Sequence, residues 1–213
     1  TVGLPEAKAW LGDEPVTAPA HYKDPQKIAD YIAKAEADRL ERLALDPDCN
    51  RIVAMGWVDA SGGDPTVALM SNELEEREQL KQFAAIYKQK SDTRLVTFNG
   101  HKFDLPTLMR RAVYLDVAFP VLNVDRFRSE HIDLWARLSL NGVLQAHSLA
   151  FYARRFGFTT LDKVSGADIG RLVAEGTKEA WDQIHDHVLS DVGLTHALAM
   201  RLGAIPKMRE VAA

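Results

Sequence analysis

Two acidic residues of this chain stand where a carboxylate can hold a divalent cation. Asp104 ends a polar turn, residues 99–104, which follows the apolar stretch 95–98. Asp191 lies on a strongly helical segment four residues after His187, so these two side chains share one helix face. Carboxylate oxygens are the ligands that Mg²⁺ prefers, and a nearby histidine can act as a general base toward water. These residue types indicate metal-assisted hydrolysis.

Both positions also have a purely structural explanation. Gly100 permits a sharp exit from the strand and Phe103 can anchor the turn. Asp104 then lies where aspartate often caps a helix. The spacing of His187 and Asp191 is also that of an ordinary surface pair. Taken one at a time, neither element decides between structure and chemistry.

The elements that must position these residues follow from apolar periodicity and turn residues. Asp24 and Pro25 begin a helix that reaches about Leu45. Residues 51–59 and 65–70 predict a β-hairpin with a glycine-containing turn between them. The other predicted elements are a loop to residue 23, helices at 73–90, about 105–115, 149–156, 167–175 and 178–202, and strands at 94–98 and 132–135.

This order of elements predicts the fold class. Strands come early and helices late, and a hairpin leads into a β–α–β section, which is typical of an α/β domain with a mixed β-sheet flanked by helices. We expect one domain over residues 1–213, with an N-terminal loop and helical insertion at 1–48 and a core at 49–213.

The composition narrows the class of protein. Its 46% hydrophobic and 26% charged content is typical of globular proteins. The single cysteine, Cys49, excludes an internal disulfide and fits a reducing cytoplasm. No apolar run approaches the roughly 18 residues of a membrane span, and the first residues do not resemble a signal peptide. We therefore expect a cytoplasmic protein.

The charge balance bears on nucleic-acid binding. The formal net charge of −4 argues against a protein that coats nucleic acid through bulk electrostatics. It does not exclude a nuclease, because bound metal neutralises a carboxylate cluster. Basic pairs at 110–111, at 126 and 128, and at 154–155 leave contacts with individual phosphates open.

The order of the motifs resembles one enzyme superfamily. Residues 98–104, Phe-Asn-Gly-His-Lys-Phe-Asp, resemble the second motif of the DEDD 3′–5′ exonucleases, an asparagine followed by Phe-Asp. The segment from His187 to Asp191 takes the place of the third motif, which is Tyr-x-x-x-Asp in the tyrosine branch. Residues 131–134, His-Ile-Asp-Leu, are similar to an element of exonucleases related to the proofreading domain of family-B DNA polymerases. The resemblance spans roughly residues 51–202.

The resemblance implies a ribonuclease H-like fold and a 3′–5′ exonuclease that acts on DNA, with single-stranded 3′ ends as the expected substrate. It also implies two Mg²⁺ or Mn²⁺ ions at four acidic groups, which act by two-metal-ion phosphodiester hydrolysis. Asp104 and Asp191 would be metal ligands, and His187 would orient or deprotonate the water.

Four other residues have weaker expected roles in such a site. Asn99 would shape the turn or contact substrate, and His101 and Lys102 would contact phosphate unless they are merely solvated. Asp133 would support the site or simply end a strand.

Two departures from the family pattern leave alternatives open. His187 stands where the tyrosine branch has tyrosine, whereas the histidine branch would place its histidine at Asp186. The first motif, Asp-x-Glu on an apolar strand, does not occur in the 213 residues, and we expect it immediately before Thr1 in the parent protein. The alternatives are a catalytically impaired nucleic-acid-binding module of the same fold and an exonuclease that acts on RNA.

Overall fold

The computed structural model describes residues 1–11, 15–89, 93–159 and 164–206. Within these ranges, strands are short and helices carry most of the regular structure. No helix in this part of the chain combines the length and apolarity needed to cross a lipid bilayer.

The six described strands pair two by two. The pairs are β1 (Val2–Gly3) with β2 (Asn50–Arg51), antiparallel; β3 (Ala54–Trp57) with β4 (Thr66–Leu69), antiparallel; and β5 (Val96–Thr97) with β6 (Ile132–Asp133), parallel. The predicted hairpin is therefore confirmed. The α/β class agrees with this arrangement, whereas one continuous mixed sheet stays a prediction.

Eight helices lie between and after the strands of the described ranges. They are α1 (Ala7–Trp10), α2 (Pro25–Leu43), α3 (Glu73–Lys88), α4 (Asp104–Tyr114), α5 (Leu134–Leu138), α6 (Leu149–Phe156), α7 (Ile169–Glu175) and α8 (Lys178–Arg201). Polar residues set several of the starts. The Asn72 side chain accepts the Glu75 N–H at α3, and the Thr177 hydroxyl accepts the Ala180 N–H at α8.

Two predicted elements differ from the structure. The strand expected at 132–135 ends at Asp133, because its carboxylate accepts the N–H groups of Trp135 and Ala136 and so begins α5. The loop expected to residue 23 contains β1 and α1. Leu4 donates its N–H to the Cys49 carbonyl at 2.8 Å, which ties this segment to the rest of the domain.

The longest helix joins separate parts of the core. Ile184 of α8 packs in a cluster with Val53 and Leu172, and Leu198 of the same helix packs in another with Leu134. A third cluster lies between β3, α3 and α4; it contains Met55, Leu80 and Leu108. Helix α8 also packs on β3, β4 and β5, so it holds the hairpin and the parallel pair together.

Candidate active site

A tight turn carries the chain from β5 to Asp104. Asn99 adopts a left-handed conformation, φ 64°, and its carbonyl accepts the N–H groups of Lys102 and Phe103 at 3.2 Å. The Gly100 carbonyl accepts the Leu105 N–H at 2.9 Å. These bonds make Asp104 the first residue of α4, one position after the cap.

Close packing makes Gly100 necessary in this turn. A Cβ at this position would lie 2.2 Å from Thr97 Oγ1 and 2.4 Å from Thr97 Cβ. The Thr97 Cβ atom is fixed to the backbone of β5, so a side-chain rotation cannot remove the contact. The glycine therefore lets the turn fold directly over the end of the strand.

Asp133 holds the same turn from the neighbouring strand. Its Oδ1 atom accepts the Asn99 N–H at 2.8 Å, and its Oδ2 atom accepts the His101 N–H at 3.2 Å. Oδ1 also accepts the two N–H groups that begin α5. Asp133 is only 4% exposed, and both of its carboxylate oxygens accept hydrogen bonds from the backbone. These contacts indicate that Asp133 supports the turn.

The surroundings of Asp104 favour its protonated form. One side of the residue is open to solvent, while the protein that surrounds its other sides desolvates the carboxyl group. This desolvation, together with the negative charges of Asp133 and Asp191, raises the pKa of Asp104 to about 6. Its own N–H acts in the opposite direction. The charge of Asp191 therefore acts on Asp104, while a shared metal site of these two residues stays a prediction.

Helix α8 presents Asp191 on its inward stripe. Ile184, Asp191 and Leu198 recur every seven residues, about two turns, and the two apolar members are buried. The Asp191 side chain nevertheless keeps 51% of its surface exposed, which marks an open space in front of it. The sequence already shows this acidic residue within an apolar stripe, and that pattern indicates a functional role for Asp191.

His187 lies beside this carboxylate. Its Nε2 atom is 3.7 Å from Asp191 Oδ2, and its side chain is 15% exposed. The predicted sharing of one helix face by His187 and Asp191 therefore holds in the structure.

Another glycine sets the position of this part of α8. A Cβ on Gly56 of β3 would lie 2.6 Å from Val188 Cγ1 and 2.7 Å from Val192 Cγ2. Each of these valines adjoins one of the site residues, His187 or Asp191. Gly56 therefore allows the helix to approach the strand closely at the level of the site.

The three expected substrate contacts lie together on the turn. Asn99 Oδ1 and both ring nitrogens of His101 are buried and lack a hydrogen-bond partner within the described residues. The Lys102 ammonium lies 4.2 Å from the centre of the Trp135 ring, a cation–π contact. Contact of these groups with a substrate stays a prediction.

Comparison with known proteins places the fold in a family. A family model described as the RNase_H superfamily matches residues 40–202. The chain belongs to the RNase_H superfamily. The ribonuclease H-like resemblance drawn from the motifs is thus confirmed, and membership supports a nuclease-type hydrolase.

Three curated relatives named DNA polymerase match parts of this RNase_H superfamily chain. The polymerase of Pyrococcus glycovorans is 27% identical over 127 residues, which are 55% of this chain and 15% of the polymerase. Those of Thermococcus litoralis and Thermococcus aggregans are 41% identical over 66 residues and 45% identical over 53 residues. These stretches are 31% and 25% of this chain but only 4% and 3% of the polymerases. The chain thus spans at most 15% of these relatives, and no solved structure matches it.

A metal ion is implied, because RNase_H superfamily nucleases generally use divalent metals. Asp104 and Asp191 suit one such cation: both offer hard oxygen donors, and a cation would offset the desolvation and the neighbouring negative charges that raise the Asp104 pKa. In the described part of the chain, however, no group of three or more His, Cys, Asp or Glu side chains is placed to hold an ion. A pair of ions ~3.5–4 Å apart needs further bridging carboxylates.

A buried ion pair behind the site was not predicted from the sequence. Arg111 of α4 donates from Nε and Nη2 to the Glu76 carboxylate at 2.7 and 2.8 Å, and Glu76 also accepts the Ile52 N–H. Burial disfavours the charge on Arg111, but its hydrogen bonds to Glu76 and Glu73 outweigh this and raise its pKa. The pair ties α3 to α4, and the Ile52 N–H ties the segment directly after β2 to α3. The sequence feature that could have indicated this ion pair is Glu76, an acidic residue one turn before the buried Leu80 on α3.

Proposed function

We propose that this chain is a 3′–5′ exonuclease domain that removes nucleotides from the 3′ end of DNA by metal-assisted hydrolysis of the terminal phosphodiester. The observation that carries the proposal is the position of Asp104 at the start of α4, where the charge of Asp191, from a separate motif, acts on its carboxyl group. The similarity to DNA polymerases supports DNA as the substrate.

Asp104 and Asp191 would hold Mg²⁺ or Mn²⁺, with two ions in the complete site. When bound, the ions would lower the pKa of the attacking water and neutralise charge at the phosphate. The other two carboxylates would come from the Asp-x-Glu motif that the family pattern places on the first strand.

His187 would act on the attacking water from the position that tyrosine holds in the tyrosine branch. A neutral imidazole can accept the proton of the water, while Asp191 beside it keeps the ring oriented. Asp133 would keep the turn in place, with its oxygens already bound to backbone donors.

The substrate strand would end at the turn between β5 and α4. A single-stranded 3′ end is favoured because its terminal nucleotide must separate from a partner to enter the site. Asn99, His101 and Lys102 would contact the terminal nucleotide or its phosphate, since the first two carry buried polar atoms without partners within the described residues.

The test uses the full-length protein with Mn²⁺ and oligonucleotides labelled at the 5′ end. We expect a ladder of products shortened from the 3′ end and faster cleavage of DNA than of RNA. Asp191→Asn should abolish cleavage, whereas Asp186→Asn, a matched exposed change on the same helix, should retain it. His187→Tyr should retain more activity than His187→Ala. Equal activity of the Asp191→Asn and Asp186→Asn variants would contradict the assignment, and preferred RNA cleavage would move the substrate class to RNA.

One observation favours a second candidate, a nucleic-acid-binding module of the same fold without catalysis. The described residues do not bring three metal-ligating side chains together. If the full-length protein binds a labelled oligonucleotide but shows no cleavage with Mg²⁺ or Mn²⁺, this second function replaces the first.

A further inference from the structure

A cleft of about 620 Å³ lies beside β6 and reaches the turn of the candidate active site. Three arginines from separate segments line it: Arg94 before β5, Arg126 in the loop before β6, and Arg137 in α5. Glu130 is an exposed acid in the same cleft, while the carboxylate of Asp133 is buried against backbone donors. The guanidinium groups therefore give the cleft a positive charge in a chain whose net charge is −4.

In the part of the chain that the structure describes, acidic side chains do not neutralise these arginines. Within the described ranges, Arg94 and Arg137 form no ion pair. Arg126 donates from Nη1 to the Asn141 carbonyl at 3.2 Å, which fixes its guanidinium without neutralising it. Asn141 adopts a left-handed conformation, φ 57°, as does Leu140, φ 49°. A strained backbone thus helps to hold a cationic group in place.

Two histidines with buried ring nitrogens, His101 and His131, also line this cleft. The Leu95 N–H donates to His131 Nδ1 at 3.2 Å, so the hydrogen of the neutral ring lies on Nε2. The His131 side chain is fully buried, and its Nε2 lacks a hydrogen-bond partner within the described residues. His101 also lines the cleft, and both of its ring nitrogens are buried without a hydrogen-bond partner within the described residues. Glu130 Oε1 lies 3.9 Å from His131 Nε2, which is beyond hydrogen-bond distance.

We propose that this cleft binds phosphodiester groups of the nucleic-acid strand whose 3′ end lies at Asp104. The proposal rests on the proposed function. Arginine forks match the paired oxygens of a phosphate, and all three arginines line the cleft. His101 connects the two sites, because it lines the cleft and stands on the turn that delivers Asp104. Phe127, which is 70% exposed beside the Arg126 guanidinium, offers a face for base stacking.

The test measures binding of a 5′-fluorescein single-stranded oligodeoxynucleotide to the full-length protein by anisotropy in EDTA, so that cleavage does not contribute. The double variant R94Q/R137Q should bind at least about 10-fold more weakly. In a plot of log K against the logarithm of the salt concentration, its slope should be shallower by about 1.4, because two phosphate contacts are lost. The matched control K81Q/K178Q removes two positive charges from exposed positions on α3 and α8 and should change affinity less than twofold. E130Q should bind more tightly, because it removes the exposed acid from the cleft.

Several outcomes would overturn the proposal. One is equal loss of affinity in R94Q/R137Q and K81Q/K178Q, which would indicate diffuse attraction. Another is displacement of the oligonucleotide by a poly-glutamate peptide at equal charge concentration, which would indicate a site for acidic proteins. Failure of the proposed function is distinguishable, because absent cleavage with cleft-dependent binding leaves this proposal intact. If R94Q/R137Q still cleaves DNA and binds the oligonucleotide as tightly as the natural protein, the cleft proposal is wrong but the proposed function stands.

Discussion

The carboxylate of Asp133 accepts the N–H of Asn99 at 2.8 Å, and this bond joins residues 34 positions apart in the sequence. The bond crosses from the end of β6 to the turn after β5. It stabilises the left-handed conformation of Asn99 and, through the turn, the direction in which α4 begins. The position of Asp104 therefore depends on a neighbouring acid whose bonds are all to the backbone.

Replacement of Asp133 by asparagine should destabilise the protein. An amide retains one oxygen, so either the Asn99 N–H or the His101 N–H loses its acceptor in a buried place. We expect a loss of about 2 kcal/mol in the free energy of unfolding, measured by urea denaturation. The control is Asp125→Asn, which alters a similar but exposed set of bonds to backbone donors and should cost less than about 1 kcal/mol. Equal losses would show that Asp133 does not hold the turn.

The protonation of Asp104 should make stability depend on pH. Its pKa is raised from 3.8 to about 6 in the folded state, so the folded protein binds this proton more tightly than the unfolded chain does. Its contribution is therefore fully favourable below about pH 4, is lost as the pH rises to about 6, and stays absent above that. Because one side of Asp104 is open to solvent, we expect an effect of about 1 kcal/mol.

Urea denaturation of the metal-free protein at pH 4 and pH 7 tests this sign. Asp104→Asn should be more stable than the natural protein at pH 7 and nearly equal to it at pH 4. Asp186→Asn, an exposed change on α8, should show no such difference. A stabilisation by Asp104→Asn that is the same at both pH values would contradict the raised pKa.

Gly56→Ala should displace the part of α8 that carries the site. The new methyl group would meet Val188 and Val192 at 2.6 and 2.7 Å, so the helix must move away from β3. We expect a loss of about 2 kcal/mol in the free energy of unfolding. We also expect weaker Mn²⁺ binding in a calorimetric titration. Val188→Ala in the same protein should recover part of both, because it removes the nearer methyl group. Gly170→Ala is the control: nothing lies within 4 Å of its added Cβ, so it should be neutral or stabilising.

The buried pair of Glu76 and Arg111 should be strongly coupled. Glu76→Gln leaves the buried Arg111 with only the largely exposed Glu73 carboxylate as an acidic partner, and we expect a loss of about 3 kcal/mol in the free energy of unfolding. Adding Arg111→Met removes the guanidinium charge while the glutamine oxygen still accepts the Ile52 N–H. The double variant should therefore lose clearly less than the sum of the single variants in a urea denaturation cycle. Additive losses would show that the two side chains act independently.

The parts of the fold that are local in sequence could be predicted. The helix at 149–156 has Ser148 at its start and Gly157, φ 76°, at its end, and both signals are visible in the sequence. The hairpin of β3 and β4 follows from β-branched runs around a glycine turn.

Features that depend on contacts distant in sequence could not be predicted. The pairing of β1 with β2 joins residues 2 and 51, and nothing local to Val2 indicates its partner. The candidate site shows the same difference between features that are local in sequence and features that depend on distant contacts. The order of the motifs identified Asp104 and Asp191 as site candidates, but their mutual interaction depends on how closely α8 approaches β3 at Gly56.

The seven-residue spacing of Ile184, Asp191 and Leu198 has a consequence for how this domain can change in length. Core residues on both sides of Asp191 fix the helix, so one extra residue between Ile184 and Asp191 would turn the carboxylate by about 100°. Insertions in the loops before α8 leave this angle intact. Across related sequences, the interval from Ile184 to Leu198 should therefore keep a constant length while the loop lengths vary.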